Sequence, residues 1–352
     1  MELKEMISHI KPIDQGAVKQ AEDRWLTIAK PLFSLGKLET AITLMAGIKG
    51  TSQFTLEKKG LIIMCADNGV VEEGVTQTGQ EVTAIVADNF TKQATSVCMM
   101  AEEAKVDLFP IDIGMAVDVS SVSHPRNKVA YGTRNLKKEP AMTREQAVAA
   151  IQIGIRIVEE RKQEGYDILA TGEMGIGNTT TSSAVAAVLL HRPVEEVTGR
   201  GAGLTGIGLQ KKIGVIEEAL SLHCPNPEDP IEVIAKVGGL DVAGLVGVFL
   251  GGAIYHIPIV IDGFISAVAA LAAVRMAPLT REYMLPSHVS KEPAGQMVLD
   301  ALELSPFLTC DMCLGEGTGA VAVMPLLNMG LKVYLQMSTF QDITIEEYEV
   351  YQ

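Results

Sequence analysis

Basic residues are scarce in this sequence. Its 352 residues include 29 Lys and Arg against 43 Asp and Glu, which gives a formal net charge of -14 at pH 7. Proteins that bind a nucleic-acid backbone or an anionic membrane rely on basic patches. The composition therefore argues against nucleic acid or membrane as a main partner, and a small-molecule ligand fits better.

Aromatic residues are also few. Phe, Trp and Tyr make up 5% of the chain, whereas hydrophobic residues make up 47% and charged residues 20%. This composition is typical of a packed, enzyme-like globule and excludes extended disorder. At this length we expect one large α/β unit, or such a unit with a smaller satellite.

The five cysteines form no disulfide framework. Cys310 and Cys313 have CxxC spacing, but no second cysteine pair or nearby His supplies the other ligands that a structural zinc needs. Metal or redox use of this motif is therefore disfavoured. An odd number of scattered cysteines, in a chain that opens MELKEMISHI without an apolar signal-peptide core, indicates the reduced cytosol.

One segment, Val242 to Ile261, lacks charged residues and is long enough to cross a bilayer. Against a membrane span, it contains four glycines, His256 and Pro258, and Asp262 follows it at once. A buried helix that leads into the buried strand IPIVI explains all of these features, because central strands of parallel sheets read as continuous apolar runs.

Apolar runs that end in glycine and polar residues predict strands at Gly60 to Ala66, Val106 to Gly114, Asp167 to Thr171 and His256 to Ile261. Helical patterns lie between them, including one that starts at a capping box of Thr143 and Gln146 and stops at Gly165. Strands that alternate with helices predict a parallel sheet with helical crossovers. The first 60 or so residues look helical, and so does the segment from Gly319 to Met337, so the two ends are expected to pair as a small helical subdomain.

Three glycine-containing loops could hold an anion. The first, GEMGIGNTTT, precedes a helix whose free N–H groups and dipole suit a phosphate, with Asn178 and Thr179 as caps or donors. It is neither a P-loop nor a GxGxxG motif, so a plain turn is an equal alternative. Lys212 after TGRGAGL and Ser290 in SHVSKEPAG could also reach an anion, although such a lysine more often lies on a solvated helix face and Ser290 fits a helix N-cap, whose geometry would also serve a phosphate.

Glu316 is a lone carboxylate between Gly315 and Gly317, just before an apolar helix. It could be a helix-start charge that complements the dipole. It could equally be a general base whose pKa is adjusted by partial burial, with the glycines leaving room for a flat substrate.

Taken together, several motifs resemble those of the nicotinate-nucleotide:dimethylbenzimidazole phosphoribosyltransferase family. They include ADNGVVEEGV, GEMGIGNTTTSSAV, TGRGAGL, VIDGFISAVAAL, SHVSKEPAGQMVLDALEL and LGEGTGAVAVMPLL, in order from about Leu35 to Phe340. The resemblance implies a homodimer of a Rossmann-like α/β domain, here residues 60–305, with a small helical domain from residues 1–59 and 306–352. It implies no metal or redox cofactor.

The resemblance also implies roles for individual residues. Glu316 would be the general base that deprotonates the benzimidazole nitrogen, and Glu173 would stabilise charge at C1' of the ribose or hold its hydroxyls. The matched motifs imply the following substrate-binding positions: Thr76, Gln80, Gly175, Gly177, Asn178, Thr179, Gly201, Lys212, Asp262, Gly263, Ser290 and Leu314.

One loop departs from the family pattern. This chain has GVTQTGQEVT, with Thr76 where a Ser is usual and Gly79 where a Pro is usual, while Gln80 and Thr83 remain. Because the resemblance assigns this loop to the acceptor site, the preferred base could be dimethylbenzimidazole, another benzimidazole, adenine or a phenol. Cys313 also replaces a common Arg.

Two other classes of function compete with this one. Glycine loops alone would permit an NAD-dependent oxidoreductase, but CADNGVVEEG stands where GxGxxG would follow the first strand. A non-catalytic nucleotide-binding relative would have lost its carboxylates, whereas Glu173 and Glu316 are both present.

Overall fold

A computed structural model describes residues 2–349. Within that range, five strands form one sheet in the order β2-β1-β3-β4-β5, and every neighbouring pair is parallel. The strands are β1 (Lys59–Ala66), β2 (Val106–Gly114), β3 (Ile168–Met174), β4 (Ile259–Ile261) and β5 (Met284–Pro286). The predicted Rossmann-like α/β class is thus confirmed.

The α-helices of the described chain are α1 (Leu3–Ile7), α2 (Gln15–Thr27), α3 (Lys37–Lys49), α4 (Glu81–Thr91), α5 (Ser96–Ala104), α6 (Arg144–Gln163), α7 (Asn178–Leu189), α8 (Val194–Val197), α9 (Gly206–His223), α10 (Pro230–Val237), α11 (Leu240–Ile254), α12 (Phe264–Met276), α13 (Gly295–Ala301) and α14 (Thr318–Gln336). Two 3₁₀ helices, Gly69–Glu73 and Pro278–Tyr283, follow β1 and precede β5.

The strand bounds differ from the predicted ones at the site end of the sheet. β3 continues past Thr171 to Met174, so Glu173 belongs to the strand and not to the following loop. β4 begins at Ile259, because His256 adopts a left-handed conformation (φ 51°) and Pro258 has no N–H for a ladder bond. The sequence did not predict β5, whose three residues are too short to show a periodicity.

Helices cover both faces of the sheet. Alternate residues of β1 point to opposite sides, so that Ile62 and Met64 join a core cluster with α6, α11 and α12. Leu61 and Ile63 join a second cluster with α3, α5 and α14. The result is a three-layer arrangement that leaves the carboxyl ends of the strands open for loops.

The long apolar segment is a core helix followed by a strand, as predicted. Every residue from Leu240 to Ala253 of α11 is buried, and α11 leads into β4. α6, against which it packs, begins with the predicted capping box, in which Gln146 N–H donates to Thr143 Oγ1 and Thr143 N–H to Gln146 Oε1.

α14 is long and apolar enough to cross a membrane by length and composition. However, 56% of its apolar window is buried within the protein. A core helix of a globular protein passes the same test, so its apolarity is explained by packing.

The two ends of the chain pack together. Arg24 of α2 donates to the carbonyl oxygen of Tyr334 in α14 at 2.8 Å, and the rings of Trp25 and Tyr334 lie 5.0 Å apart. Phe340 N–H donates to Thr27 O. These helices share a core cluster with one face of the sheet. The division into domains at 59/60 and 305/306 stays a prediction. Residues 1 and 350–352 of the predicted helical domain lie outside the described range.

Candidate active site

A cavity of about 210 Å³ lies at the carboxyl ends of β3, β4 and β5. In an open parallel sheet, ligands bind at this edge. The predicted residues that line it are Glu173, Gly175, Asn178, Thr179, Gly201, Asp262, Gly263, Ser290, Leu314 and Glu316. The structure therefore brings together ten positions that are spread over more than 140 residues of sequence.

A smaller cavity of about 80 Å³ adjoins the first and shares the loop from Gly175 to Thr179 with it. Thr76 and Gly177 line this second cavity, as does Arg200, which the sequence reading did not select. Lys212 and Gln80 line neither cavity.

Two helix N-termini form walls of the main cavity. α12 begins after Gly263, which provides no side-chain cap, and the first turn of the helix lines the cavity. α7 likewise begins after Gly177, whose φ of +93° is left-handed, again with no side-chain cap. Uncapped N–H groups and aligned peptide dipoles make such ends favourable for a phosphate.

The segment that carries Glu316 has an unusual backbone. Gly315, Glu316 and Gly317 all have positive φ values, of +90°, +61° and +91°. A side chain at Gly315 would place Cβ 2.6 Å from Glu173 Oε1, and one at Gly317 would place it 2.5 Å from Leu61 Cδ1. The glycines are therefore needed for the left-handed turn and for its close approach to the sheet, whether or not they also make room for a substrate.

The Glu316 carboxylate is half-buried, and its Oε2 atom has no hydrogen-bond partner. Burial raises its pKa above that of an ordinary carboxyl, and the nearby charge of Asp262 adds to the rise. The N–H of Val97 and the hydroxyl of Thr95, at the start of α5, act in the opposite direction and lower the pKa of Glu316. Glu316 is among the residues that line the main cavity, and a carboxyl with a raised pKa beside a substrate cavity is suited to accept a proton.

Asp262 holds this segment in place. Its carboxylate, at the end of β4, accepts hydrogen bonds from the N–H groups of Gly317 (3.2 Å), Gly319 (2.8 Å) and Ala320 (3.1 Å). It therefore caps α14, directly after Glu316. Burial raises the pKa of Asp262, and the neighbouring His288 counteracts this. The predicted contact of Asp262 with ribose stays a prediction, since these bonds already occupy both carboxylate oxygens.

Glu173 lies opposite Glu316 and is buried in a group of acids. Asn178, at the first position of α7, donates a hydrogen bond to Glu173 Oε2. Burial and the charges of Asp241 and Asp262 raise the pKa of Glu173 to about 8, and the Asn178 amide only partly offsets this. In the free protein, Glu173 is therefore largely protonated at neutral pH.

This protonation predicts how stability depends on pH. The unfolded glutamate has a pKa of 4.5 and the folded one of about 8, so between these values only the folded state keeps the proton. Stability contributed by this group is thus present below pH 4.5 and is lost as pH rises through 8. Relative to wild type, Glu173→Gln should be more stable at pH 8.5 by roughly 3 to 5 kcal/mol, with little difference at pH 4.5.

Urea unfolding at pH 4.5 and 8.5 checks this prediction. Glu103→Gln, on the exposed side of α5, removes the same charge at the surface and controls for net charge. A stability difference for Glu173→Gln that is the same at both pH values would contradict the assignment.

Lys212 is a buried lysine, not a solvated one. Its ammonium group donates to Thr179 Oγ1 at 2.9 Å and to Gly199 O at 3.1 Å. Burial lowers its pKa to about 8, opposed by the charge of Glu292. Lys212 thus lies behind Thr179, one side chain away from the cavity, and its predicted contact with an anion stays a prediction.

The loop that departs from the family pattern contacts the glycine loop. Gln80 donates to the backbone oxygen of Asn68 at 3.1 Å, and Thr83 Oγ1 accepts from Ile176 N at 3.1 Å. Thr76 Oγ1 donates to Thr78 O within its own turn. Changes in this loop can therefore reach the wall shared by the two cavities.

The sequence reading missed one buried acid near the site. Asp241 lies in the first turn of α11, immediately before the uncharged segment that starts at Val242, and it is fully buried. The sequence feature that could have identified it is a single carboxylate in the first turn of an otherwise apolar helix. His288 is buried and lines the main cavity, with its Nδ1 atom 3.0 Å from Ser287 Oγ.

Cys310 and Cys313 are free and exposed, and Cys313 lines the main cavity. Across residues 2–349, no group of three or more His, Cys, Asp or Glu side chains is arranged to hold a metal ion. That the protein uses no metal or redox cofactor stays a prediction.

A parallel α/β sheet with uncapped helix N-termini and clustered carboxyls at its carboxyl edge suits a group-transfer enzyme, and comparison with known proteins identifies the family. A family described as phosphoribosyltransferase matches residues 10–345. The nicotinate-nucleotide–dimethylbenzimidazole phosphoribosyltransferase of Ruminiclostridium cellulolyticum is 46% identical over 99% of both chains, and that of Acetivibrio thermocellus is 48% identical over 92% of both.

A solved structure agrees with these relatives. CobT from Thermus thermophilus superposes with a TM-score of 0.89 at 37% identity, over 95% of this chain and 100% of that one. The chain belongs to the nicotinate-nucleotide–dimethylbenzimidazole phosphoribosyltransferase family, which confirms the resemblance seen in its motifs.

Proposed function

We propose that this protein transfers the 5-phosphoribosyl group of nicotinate mononucleotide to a ring nitrogen of 5,6-dimethylbenzimidazole or a related base. The products are nicotinate and α-ribazole 5'-phosphate, used in cobamide nucleotide-loop assembly. One observation carries the proposal: Glu316, whose carboxyl has a raised pKa, is among the residues that line a cavity whose other walls include two uncapped helix N-termini.

Nicotinate mononucleotide carries a phosphate, a pyridinium and a ring carboxylate, and the first two of these match the cavity. Its phosphate fits the first turn of α12, beside Gly263 and Ser290, and the nearby start of α7. Its pyridinium ring is cationic, and Glu173 and Glu316 are among the residues that line the main cavity, whereas no lysine or arginine lines it. The helix ends would hold the phosphate and the carboxyls would attract the pyridinium, which together would orient the donor.

The reaction then needs one base and no external redox agent. A ring nitrogen of the acceptor attacks C1' of the ribose on the face opposite the pyridinium, so that the new N–C1' bond is α. The C1'–N bond of the donor breaks, and its electron pair leaves with neutral pyridine nitrogen. Glu316 takes the N–H proton of the acceptor, while ionised Glu173 stabilises positive charge that develops on the ribose.

The acceptor is expected to lie near Leu314 and the second cavity. Leu314 is 54% exposed and lines the main cavity, so it offers an apolar surface to a flat ring. The loop of Thr76 lines the adjoining space. Because that loop differs from the family pattern, we expect it to decide which acceptor is preferred among benzimidazoles, adenine and phenols.

The oxidoreductase alternative does not fit the fold around β1. A dinucleotide-binding motif needs a helix N-terminus directly after the first strand. Here β1 leads into the short 3₁₀ helix Gly69–Glu73 and then a long loop before α4. The proposal includes the absence of nucleic-acid and membrane partners, which the acidic composition supports. It also includes a cytoplasmic location, which the scattered cysteines support, and homodimer assembly, which the family resemblance implies.

The assay that tests the function supplies purified protein with nicotinate mononucleotide and, separately, dimethylbenzimidazole, benzimidazole, adenine and p-cresol. Nicotinate release is followed and the product is identified by mass. We expect turnover with at least one benzimidazole and a product heavier than the base by one phosphoribosyl group. If no acceptor gives nicotinate release, the proposal is wrong and the non-catalytic binding alternative replaces it.

A further inference from the structure

His288 is a buried histidine that the reaction scheme above does not use. It is 4% exposed and lines the main cavity. Its Nδ1 atom lies 3.0 Å from Ser287 Oγ, whereas its Nε2 atom makes no hydrogen bond within residues 2–349. A buried polar atom without a partner costs free energy, so its place in a substrate cavity indicates that a ligand supplies the partner.

The imidazole lies between the starts of two helices. A Cβ atom at Gly263, just before α12, would lie 3.4 Å from both Cε1 and Nε2 of His288. A Cβ atom at Gly319, the second residue of α14, would overlap the ring at Nδ1. The Nε2 edge therefore lies beside Gly263, where the uncapped helix α12 begins.

The hydrogen bonds of Ser287 assign the proton on the ring. Ser287 Oγ lies 3.3 Å from the backbone oxygen of Asp262, which can only accept, so the single hydroxyl proton is donated there. The Nδ1 atom of His288 must then carry a hydrogen and donate it to Ser287 Oγ. In the neutral ring Nε2 is thus an acceptor, and it becomes a donor only when the ring takes up a second proton.

The main cavity has one basic side chain among several acids. The acids that line it are Glu173, Asp262, Glu292 and Glu316. His288 is the only Lys, Arg or His among the lining residues. The phosphate of a nucleotide carries roughly two negative charges at pH 7. A phosphate at the start of α12 would thus meet one side chain able to become a cationic donor, and charge-assisted bonds of this kind are the strong ones.

We propose that His288 is a substrate-binding residue whose imidazole takes up a proton when the donor binds and, as a cation, donates from Nε2 to the phosphate at the start of α12. The ligand class is a phosphomonoester of ribose. This proposal rests on the proposed function, because nicotinate mononucleotide is the phosphomonoester that would occupy the cavity. The proton comes from solvent, and the bond to Ser287 keeps the ring in one orientation throughout.

Several other ionisable groups face this site and contribute to its pH dependence. They are Glu173 on β3, Asp262 after β4, Glu292 after Ser290, Glu316 before α14, and Lys212 of α9, which lies behind Thr179. The imidazole lowers the pKa of Asp262, so these two side chains interact electrostatically. Because all of these groups remain in a His288 variant, the ratio of wild-type to variant affinity isolates the contribution of the imidazole.

Two probes without the nicotinate ring test the proposal. Ribose 5-phosphate and inorganic phosphate are titrated by calorimetry into wild type and His288→Asn. Asparagine can keep a bond to Ser287 but does not reach the Nε2 position, so both ligands should bind roughly 10- to 100-fold more weakly at pH 6.5. This ratio should shrink toward one at pH 8.5, because the imidazolium is lost as pH rises.

Two further measurements exclude a merely structural role. His288→Gln places a neutral amide near Nε2, so it should keep part of the affinity for ribose 5-phosphate and lose the pH dependence that the imidazole adds. At pH 7, Lys212, whose pKa is about 8, already largely carries its proton. Binding of ribose 5-phosphate to wild type in two buffers of different ionisation enthalpy should therefore show proton uptake that is smaller in His288→Gln.

His191→Asn is the matched control. His191 is exposed, follows α7 and lines neither cavity, and its left-handed φ of 52° suits asparagine. This variant should bind both probes as wild type does.

Three results would overturn the proposal. One is an affinity ratio that does not change between pH 6.5 and 8.5, and another is binding without proton uptake, which wild type alone can reveal if neither His288 variant folds. The third is a loss confined to ribose 5-phosphate with inorganic phosphate bound normally, which would assign His288 to the ribose.

The acceptor assay separates this inference from the proposed function. Phosphate binding that depends on His288, with no nicotinate release from any acceptor, would reject the transfer reaction and retain the phosphate site. Normal turnover with the same KM for nicotinate mononucleotide in wild type and His288→Asn would instead reject the role of His288 and leave the proposed function standing.

Discussion

Glu316→Gln is expected to lower kcat by 10²- to 10⁴-fold, the usual effect of losing a general base. The amide fills the same space but cannot accept the acceptor's proton. The KM for nicotinate mononucleotide should change little, because the substitution leaves untouched the helix ends that we propose to hold the phosphate. The variant should fold normally, since burial already disfavours the charge of Glu316. Steady-state kinetics over a range of both substrates, together with a melting curve, measure each part.

Asp311→Asn is the matched control for this variant. Asp311 lies five residues upstream in the same loop, is exposed, and also has a left-handed φ of 52°. Its substitution should leave kcat near the wild-type value. If Glu316→Gln retains activity within tenfold of wild type, the base must be sought elsewhere, and Glu173 is the next carboxyl in the cavity.

Asp262→Ala is expected to cause the largest loss of stability among the site variants. It deletes three hydrogen bonds that the buried carboxylate accepts from N–H groups at the start of α14. Charge-assisted bonds of this kind and the loss of an N-cap together predict a loss of roughly 3 to 5 kcal/mol. Activity should also fall at least tenfold under conditions where the variant is folded, because Glu316 precedes the released turn.

Asp229→Ala provides the comparison. Asp229 caps α10 by accepting from Glu232 N–H at 3.1 Å, on the surface and outside both cavities. Its loss should lower stability by about 1 kcal/mol and leave kcat unchanged. Urea unfolding and kinetics on the two variants distinguish a cap that positions a base from a cap that only starts a helix. Equal effects of the two on kcat per folded molecule would refute the positioning role of Asp262.

The elements of this fold that depend on local sequence were predictable. The capping box of Thr143 and Gln146, the bounds of β2 and the buried helix after Leu240 follow from spacings within a few residues. The family was also predictable, because motifs such as GEMGIGNTTT and LGEGTGA are short local segments of the sequence, and the comparisons confirm the family. β5 was missed because three residues carry too little pattern.

What the sequence by itself determined is the family, the α/β class and the set of residues at the strand ends. Only the tertiary structure decided what those residues do to one another. Asp262 caps α14 from 55 residues away at Gly317, Asn178 donates to Glu173, and Lys212 lies in the interior behind Thr179. The physical reason is that burial, charge and hydrogen-bond direction depend on which strand ends are neighbours, and the order β2-β1-β3-β4-β5 is a property of the assembled sheet.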